Sequence, residues 1–270
     1  MRLHDTHAHL THPRIASDVE GILRRARQAK VTKIIANGLN YTDNLAVRAL
    51  ARSYPSIIRP AYGLYPVDAV LDEMTAAGID YPRDAGEIRA EETISWIADH
   101  VDEAIALGEV GLDGKWVPEG FWALQEERFS RLVTIAIAAD KPLIVHSRKR
   151  ERRAFELCQE LGAKRVQFHA YSSKLKLARQ IADAGYFLSV PANARRAEQY
   201  AQLLSRLPRE RLLLETDAPY LSPDRERLPE NEPASVAETA SLAAEIWGES
   251  LDITAERFAD NYRALFREEP

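Results

Sequence analysis

Short apolar or β-branched runs recur along this chain at intervals of about 30 residues, the length of one strand–helix–strand unit. They are Arg2–Thr6, Val31–Asn37, Ile57–Gly63, Ala104–Gly108, Pro142–His146, Arg165–His169, Tyr186–Val190 and Leu212–Thr216. Each is brief and nearly continuous in apolar character, as a strand buried on both faces must be. The intervening stretches carry helical stripes. Val19, Ile22, Leu23, Ala26 and Ala29 share a face, with Ser17 and Glu20 spaced as a capping box before them. Leu124, Phe129, Leu132, Val133, Ala136 and Ile137 form a second stripe, and Leu175, Ala178, Ile181 and Ala182 a third that stops at Gly185. A helix from Pro233 to Gly248 and another carrying Phe258, Tyr262, Leu265 and Phe266 close the chain.

Eight strands alternating with helices predict an α/β fold, a (β/α)8 TIM barrel, and 270 residues suit one such domain spanning 1–270. No Gly-x-Gly-x-x-Gly turn follows the first run, which weighs against a dinucleotide-binding sheet. Residues 67–100 make an unusually long connection, read as a decorated loop or small insertion, with Pro82, Gly86 and a helical patch at Glu91–His100.

Charge and cysteine content narrow the function. Thirty-six basic and 41 acidic side chains leave a net charge of −5, so bulk charge alone does not hold nucleic acid here. The single cysteine, Cys158, supports neither an intrachain disulfide nor a thiolate metal site, and reads as a buried apolar residue. No apolar leader opens the sequence and no run is long enough to span a bilayer, so the expectation is a cytoplasmic protein without membrane contact.

In such a barrel the chemistry sits at the carboxyl ends of the strands. The first run leads into His7-Ala8-His9, the fourth into Glu109, the fifth into His146, the sixth into His169 and the eighth into Glu215-Thr216-Asp217. Taken singly, a His-x-His is commonly a surface pair, a strand-end histidine a hydrogen-bonded core residue, and an aspartate after a strand a helix cap. Jointly these readings fail to explain imidazole at the same end of three strands. Residues two apart on extended backbone point the same way, so His7 and His9 can reach one ion. Imidazole and carboxylate without thiolate suit divalent zinc, manganese, cobalt, nickel or, less comfortably, magnesium. Six ligands exceed one tetrahedral site and fit two ions sharing a carboxylate, an arrangement used for hydrolysis and phosphoryl transfer. His4, His12 and His100 read as structural or surface residues.

With these residues in hand, the chain resembles the TatD family of metal-dependent hydrolases in the amidohydrolase-like superfamily. The likeness rests on Asp5-Thr6-His7-Ala8-His9, Gly108-Glu109-Val110-Gly111-Leu112-Asp113, His146-Ser147-Arg148, His169 and Glu215-Thr216-Asp217-Ala218-Pro219-Tyr220. Gln125, Phe129, Asn231-Glu232-Pro233-Ala234 and Asn261 also match it. The resemblance implies that His7, His9 and Asp217 hold one ion, His146 and His169 the other, with Glu109 bridging. It further implies a cytoplasmic deoxyribonuclease removing nucleotides from DNA ends. One departure is Gly63-Leu64-Tyr65-Pro66, where the family usually has histidine in place of Tyr65; Gly114-Lys115-Trp116 also replaces a common tyrosine.

The chemistry expected is water attack, with Asp217 and Glu109 as catalytic residues; Asp217 takes or steers the proton, and Glu215 either supports from behind or is a buried acceptor for a neighbouring amide. Arg148, Tyr65 and Tyr171 are the substrate-contacting candidates, the aromatic rings, with Trp116, as faces for unpaired bases. The basic run Arg148–Arg153 opposes a helix dipole, and with Arg195 and Arg196 is either a phosphate-binding rim or a solvated charged face. The alternative activity is hydrolysis of a small ester, amide or lactone at the same site; a third reading is a metal-binding protein without catalysis. Oligomeric state is not readable from the sequence.

Overall fold

All eight runs become strands: β1 (Leu3–Ala8), β2 (Val31–Asn37), β3 (Ile58–Tyr62), β4 (Ala106–Gly111), β5 (Leu143–His146), β6 (Val166–Phe168), β7 (Phe187–Val190) and β8 (Leu212–Leu214). The computed structural model describes residues 1–83, 85 and 88–269. One helix separates most consecutive strands: α1 (Val19–Gln28), α2 (Tyr41–Ser53), α5 (Trp122–Ala138), α6 (Glu151–Glu160), α7 (Leu175–Asp183) and α8 (Glu198–Arg206). Between β3 and β4 lie α3 (Leu71–Ala76) and α4 (Ala90–His100), and α9 (Val236–Trp247) and α10 (Leu251–Phe266) follow β8. The strands form one sheet in sequential order, the topology of a (β/α)8 barrel. Among the described residues no helix is long and apolar enough to cross a membrane.

By packing, the chain divides into two compact units, Met1–Ala36 with Leu50–Arg59 and Gln167–Pro270, and Asn37–Ala49 with Pro60–Val166. In the first unit the last strand returns to the first. Ala8 bridges Ala218 in parallel, Asp217 N–H donates to the His7 carbonyl at 2.9 Å, and His9 N–H to that of Ala218 at 2.8 Å. Beneath that seam runs a buried polar chain. Gln167 Nε2 donates to Thr6 Oγ1 and Ser189 Oγ, both at 2.9 Å, and Ser189 Oγ donates to Glu215 at 2.6 Å. Buried polar atoms satisfied in this way fix side-chain directions just below the strand ends. Helix α10 closes against β8 through Asn261, whose amide donates to the carbonyls of Leu212 and Arg209, both at 2.7 Å.

In the second unit, β4 continues through Glu109 to Gly111 instead of stopping near Gly108. The glycines that read as a strand end are sites of close approach. A β-carbon on Gly108 would stand 2.7 Å from Ile144, and one on Gly111 (φ +140°) only 2.0 Å from the His146 carbonyl oxygen. Glycine lets β4 and β5 run this close, and Leu112 N–H donates to that carbonyl at 3.0 Å.

Smaller differences have equally local causes. The capping box at Ser17 does not form; the chain enters α1 through a 3-10 turn at Ala16–Asp18, and Asp18 pairs with Arg25 at 3.0 Å. Ile137 ends its stripe 41% exposed at the end of α5. The connection at 67–100 holds α3 and α4, the latter matching the helical patch predicted there; Gly86 lies outside the described residues. Gly185 and Gly248 adopt positive φ just beyond α7 and α9, as their positions require. Cys158 is buried on α6, where burial pushes its thiol up to about 12.

Candidate metal centre

In the first unit, the pleat of β1 and its extension carry His7 and His9 to one side, their Nε2 atoms 3.1 Å apart. Asp217 arrives from the turn after β8 with φ +57°, a left-handed conformation that aspartate tolerates better than most residues. Its Oδ1 stands 3.5 Å from Nε2 of both His7 and His9. Donor atoms on a tetrahedral ion, at the usual 2.0–2.1 Å from zinc, are separated by about 3.3–3.4 Å. The three edges observed, 3.1, 3.5 and 3.5 Å, therefore fit three ligands of one cation. Burial opposes ionisation of Asp217, but the His9 hydrogen bond and the neighbouring imidazoles outweigh it and hold the carboxyl below its usual range.

His169 follows β6, and its ring lies flat on that of His7, centroids 3.9 Å apart and planes 10° from parallel. His7, His169 and Glu215 make a second group whose potential ligand atoms lie within 4.8 Å of one another. Glu215 is also a backbone anchor. It accepts from Ala170 N–H at 2.7 Å and from Ser189, and burial raises its pKa to about 7 against the opposing effect of His169. Asp5 does similar work beneath the pair, accepting from the amides of His7 at 3.1 Å and Thr216 at 3.0 Å and from the Thr216 hydroxyl at 2.5 Å.

The second unit brings Glu109 and His146 together. His146 Nδ1 lies 2.8 Å from Glu109 Oε1, and Nε2 lies 2.8 Å from Asp113 Oδ2. Burial disfavours charge on this ring, yet the two carboxylates prevail and raise its pKa to about 9. With Nε2 facing Asp113, Nδ1 is the nitrogen that faces Glu109, and a cation held there would take the place of its proton. Asp113 has no distinct signal in the sequence beyond its place at the end of the Gly108–Asp113 motif. Its Oδ1 accepts from the amides of Lys115 and Trp116, both at 2.7 Å, and Gln125 ties its backbone to Pro66. Carboxylates behind a ligating histidine typically set 10–100-fold in metal affinity. Asp113→Asn is expected to weaken metal retention by that factor, read by competition with a chromogenic chelator.

The substrate-contacting candidates separate. Tyr65 is half-buried with its ring edge-on to His146, centroids 5.1 Å apart, and Arg148 is exposed. Tyr171 is only 2% exposed and its hydroxyl donates to the Lys174 carbonyl at 3.0 Å, so it offers no open face for a base. Two of the five cations of the basic run are neutralised: Arg150 pairs with Glu126 and lies 4.1 Å over Trp122, while Arg153 pairs with Glu126 and Glu160. Arg195 forms a two-pronged pair with Glu245. Glu126 and Glu245 are distant in sequence from these arginines, which is why the arginines read as open cations. His100 stacks on Trp96, and His12 faces the Tyr220 hydroxyl at 3.1 Å, outside the ligand groups.

A sequentially ordered parallel eight-strand sheet with imidazole–carboxylate groups at its strand ends defines a metal-dependent hydrolase. Residues 4–267 match the family model described as TatD related DNase, and the chain belongs to the TatD family. It is 29% identical over 268 residues to a human protein named deoxyribonuclease TATDN3, covering 97% of this chain and 93% of that one. It is 29% identical over 272 residues to YabD of Bacillus subtilis, named an uncharacterized metal-dependent hydrolase, covering 98% and 99% of the two chains. The crystal structure of YjjV, a TatD homologue from Escherichia coli, superposes with a TM-score of 0.83 at 26% identity, covering 99% of this chain and 98% of that one.

Proposed function

We propose that this enzyme is a deoxyribonuclease that hydrolyses phosphodiester bonds at DNA ends with two divalent ions, zinc, manganese or magnesium. The observation carrying this reading is the tripod of His7, His9 and Asp217, whose donor spacing suits a cation. His7, His9 and Asp217 would hold one ion and His146 and His169 the other, with Glu109 as the carboxylate available to both. Membership in a family described as TatD related DNase, and the deoxyribonuclease name of the human relative, support DNA as the substrate. When bound, such ions supply an acidified water and positive charge for the phosphate oxygens.

The chain's own groups do the remaining work. Asp217 is held ionised with one oxygen toward both imidazoles, and the carboxylate accepts the proton of the attacking water. Burial, with the carboxylates of Glu109 and Asp113, keeps the Tyr65 phenol protonated far beyond neutrality. Tyr65 therefore serves as a hydrogen-bond donor to the phosphate or leaving oxygen, where a histidine could also carry charge. Arg148, exposed after β5, contacts a neighbouring phosphate.

The test is release of mononucleotides from single-stranded DNA by metal-loaded protein. Glu109→Ala is expected to lower the rate by about 1,000-fold or more, about 4 kcal/mol of barrier. Full activity in that variant, or in excess chelator, overturns the reading. Substrate affinity is expected to fall steeply between low and physiological salt. The net charge of −5 favours a small ester or lactone as the second reading, and affinity indifferent to salt selects it.

A further inference from the structure

Resting on the nuclease reading, we propose that Trp116 and Tyr81 form a stacking platform for an unpaired nucleobase of the substrate, tied to His146 through Asp113. Of the four tryptophans, Trp96 and Trp247 are buried at 9% and 8% exposure, and Trp122 is half-buried with its indole N–H donating to the Val117 carbonyl at 3.0 Å. Trp116 is 39% exposed. Its ring meets Tyr81 edge to face, centroids 5.5 Å apart at 74°, and Lys115 Nζ stands 5.6 Å from the indole centroid. An exposed indole beside a second aromatic ring and a cation has the make-up of a single-strand stacking site, in which bases lie on π-faces and cations meet the backbone.

Two links join this platform to the contact between His146 and Glu109. The Asp113 carboxylate accepts from the Trp116 amide through Oδ1 at 2.7 Å and faces His146 Nε2 through Oδ2 at 2.8 Å. Two bonds of one side chain thus tie the backbone that bears Trp116 to the imidazole that faces Glu109. The second link is aromatic. The Arg83 guanidinium lies 5.5 Å from the Tyr65 ring centroid and 5.7 Å from that of Tyr81, and Tyr65 is edge-on to His146. Beneath the platform, Tyr65 and Tyr81 pack on a small core of Val67, Val70, Met74 and Val117, which makes it a firm surface. A base paired and stacked within a duplex has no face to offer such a platform, so the site selects frayed or single-stranded ends.

The experiment compares a short single-stranded oligonucleotide with the same sugar–phosphate chain made abasic throughout. Trp116→Ala is expected to raise KM for the oligonucleotide about 10-fold with kcat little changed, Trp116→Phe to retain most of the affinity, and neither to alter KM for the abasic chain. An unchanged KM for the oligonucleotide, or an equal loss on the abasic chain, overturns the platform. Tryptophan fluorescence in chelator reads binding without turnover: oligonucleotide is expected to quench the wild type, and Trp116→Phe to remove most of that quenching. Quenching that survives Trp116→Phe also overturns it. A wild type that is quenched but cleaves no DNA retains the platform and overturns the nuclease reading alone.

Discussion

Asp217→Asn is expected to lower the hydrolytic rate by about 1,000- to 100,000-fold, or about 4–7 kcal/mol of activation barrier, while the protein stays folded. The substitution keeps size and shape. Asparagine also tolerates the positive φ at this position, and the backbone bond to the His7 carbonyl is untouched. What disappears is the negative charge facing both His7 and His9 and, on the mechanism proposed above, the oxygen that receives the proton of water. Metal content measured by inductively coupled plasma spectrometry is expected to fall with the rate, while the melting temperature of the metal-free protein moves little. A rate within about tenfold of wild type would remove Asp217 from the mechanism.

His4 carries the second large effect, on stability. It is fully buried in β1, with its ring 4.7 Å from that of Tyr262 on α10, and burial lowers its pKa from 6.5 to about 3. A folded-state pKa below the unfolded one means that the unfolded chain binds the extra proton. The contribution is therefore fully present above about pH 6.5 and is lost progressively as pH falls toward 3. At 1.36 kcal/mol per unit the whole span is about 4–5 kcal/mol, and about 2 kcal/mol is gone by pH 5. His4→Phe keeps an aromatic ring against Tyr262 and removes the titration. Urea unfolding of both metal-free proteins at pH 7 and pH 5 isolates the effect, since the other buried groups are common to both. The variant is expected to gain about 2 kcal/mol on the wild type over that interval. Parallel stability curves would show that His4 accepts its proton without cost.

Which features are legible before any coordinates follows from the distances over which they act. The strand rhythm is local, and runs such as Val31–Asn37 and Leu212–Thr216 emerge as strands where their apolar patterns stand, the latter ending at Leu214. His7 and His9 are legible as a pair because two-residue periodicity acts along one strand. Glycine is ambiguous: Gly108 reads as a stop, whereas inside β4 it is the residue that admits the flank of Ile144. Long-range partners leave no trace in a local window. The guanidiniums of Arg150 and Arg153 find Glu126 more than twenty residues away, and Asp113 meets the His146 ring and Glu215 the Ser189 hydroxyl across similar separations. Tyr171 has the right residue type for stacking and the wrong exposure, and exposure is a property of the folded chain.

The two-sided use of Asp113 has a consequence for anyone retuning this enzyme. Because the same carboxylate faces His146 and shapes the turn bearing Lys115 and Trp116, altering it is expected, on the function and platform proposed above, to shift reactivity and preference together. Libraries that diversify 115 and 116 while leaving 113 fixed can explore new specificities without dismantling the catalyst, because both turn amides are backbone groups that any side chain except proline leaves in place.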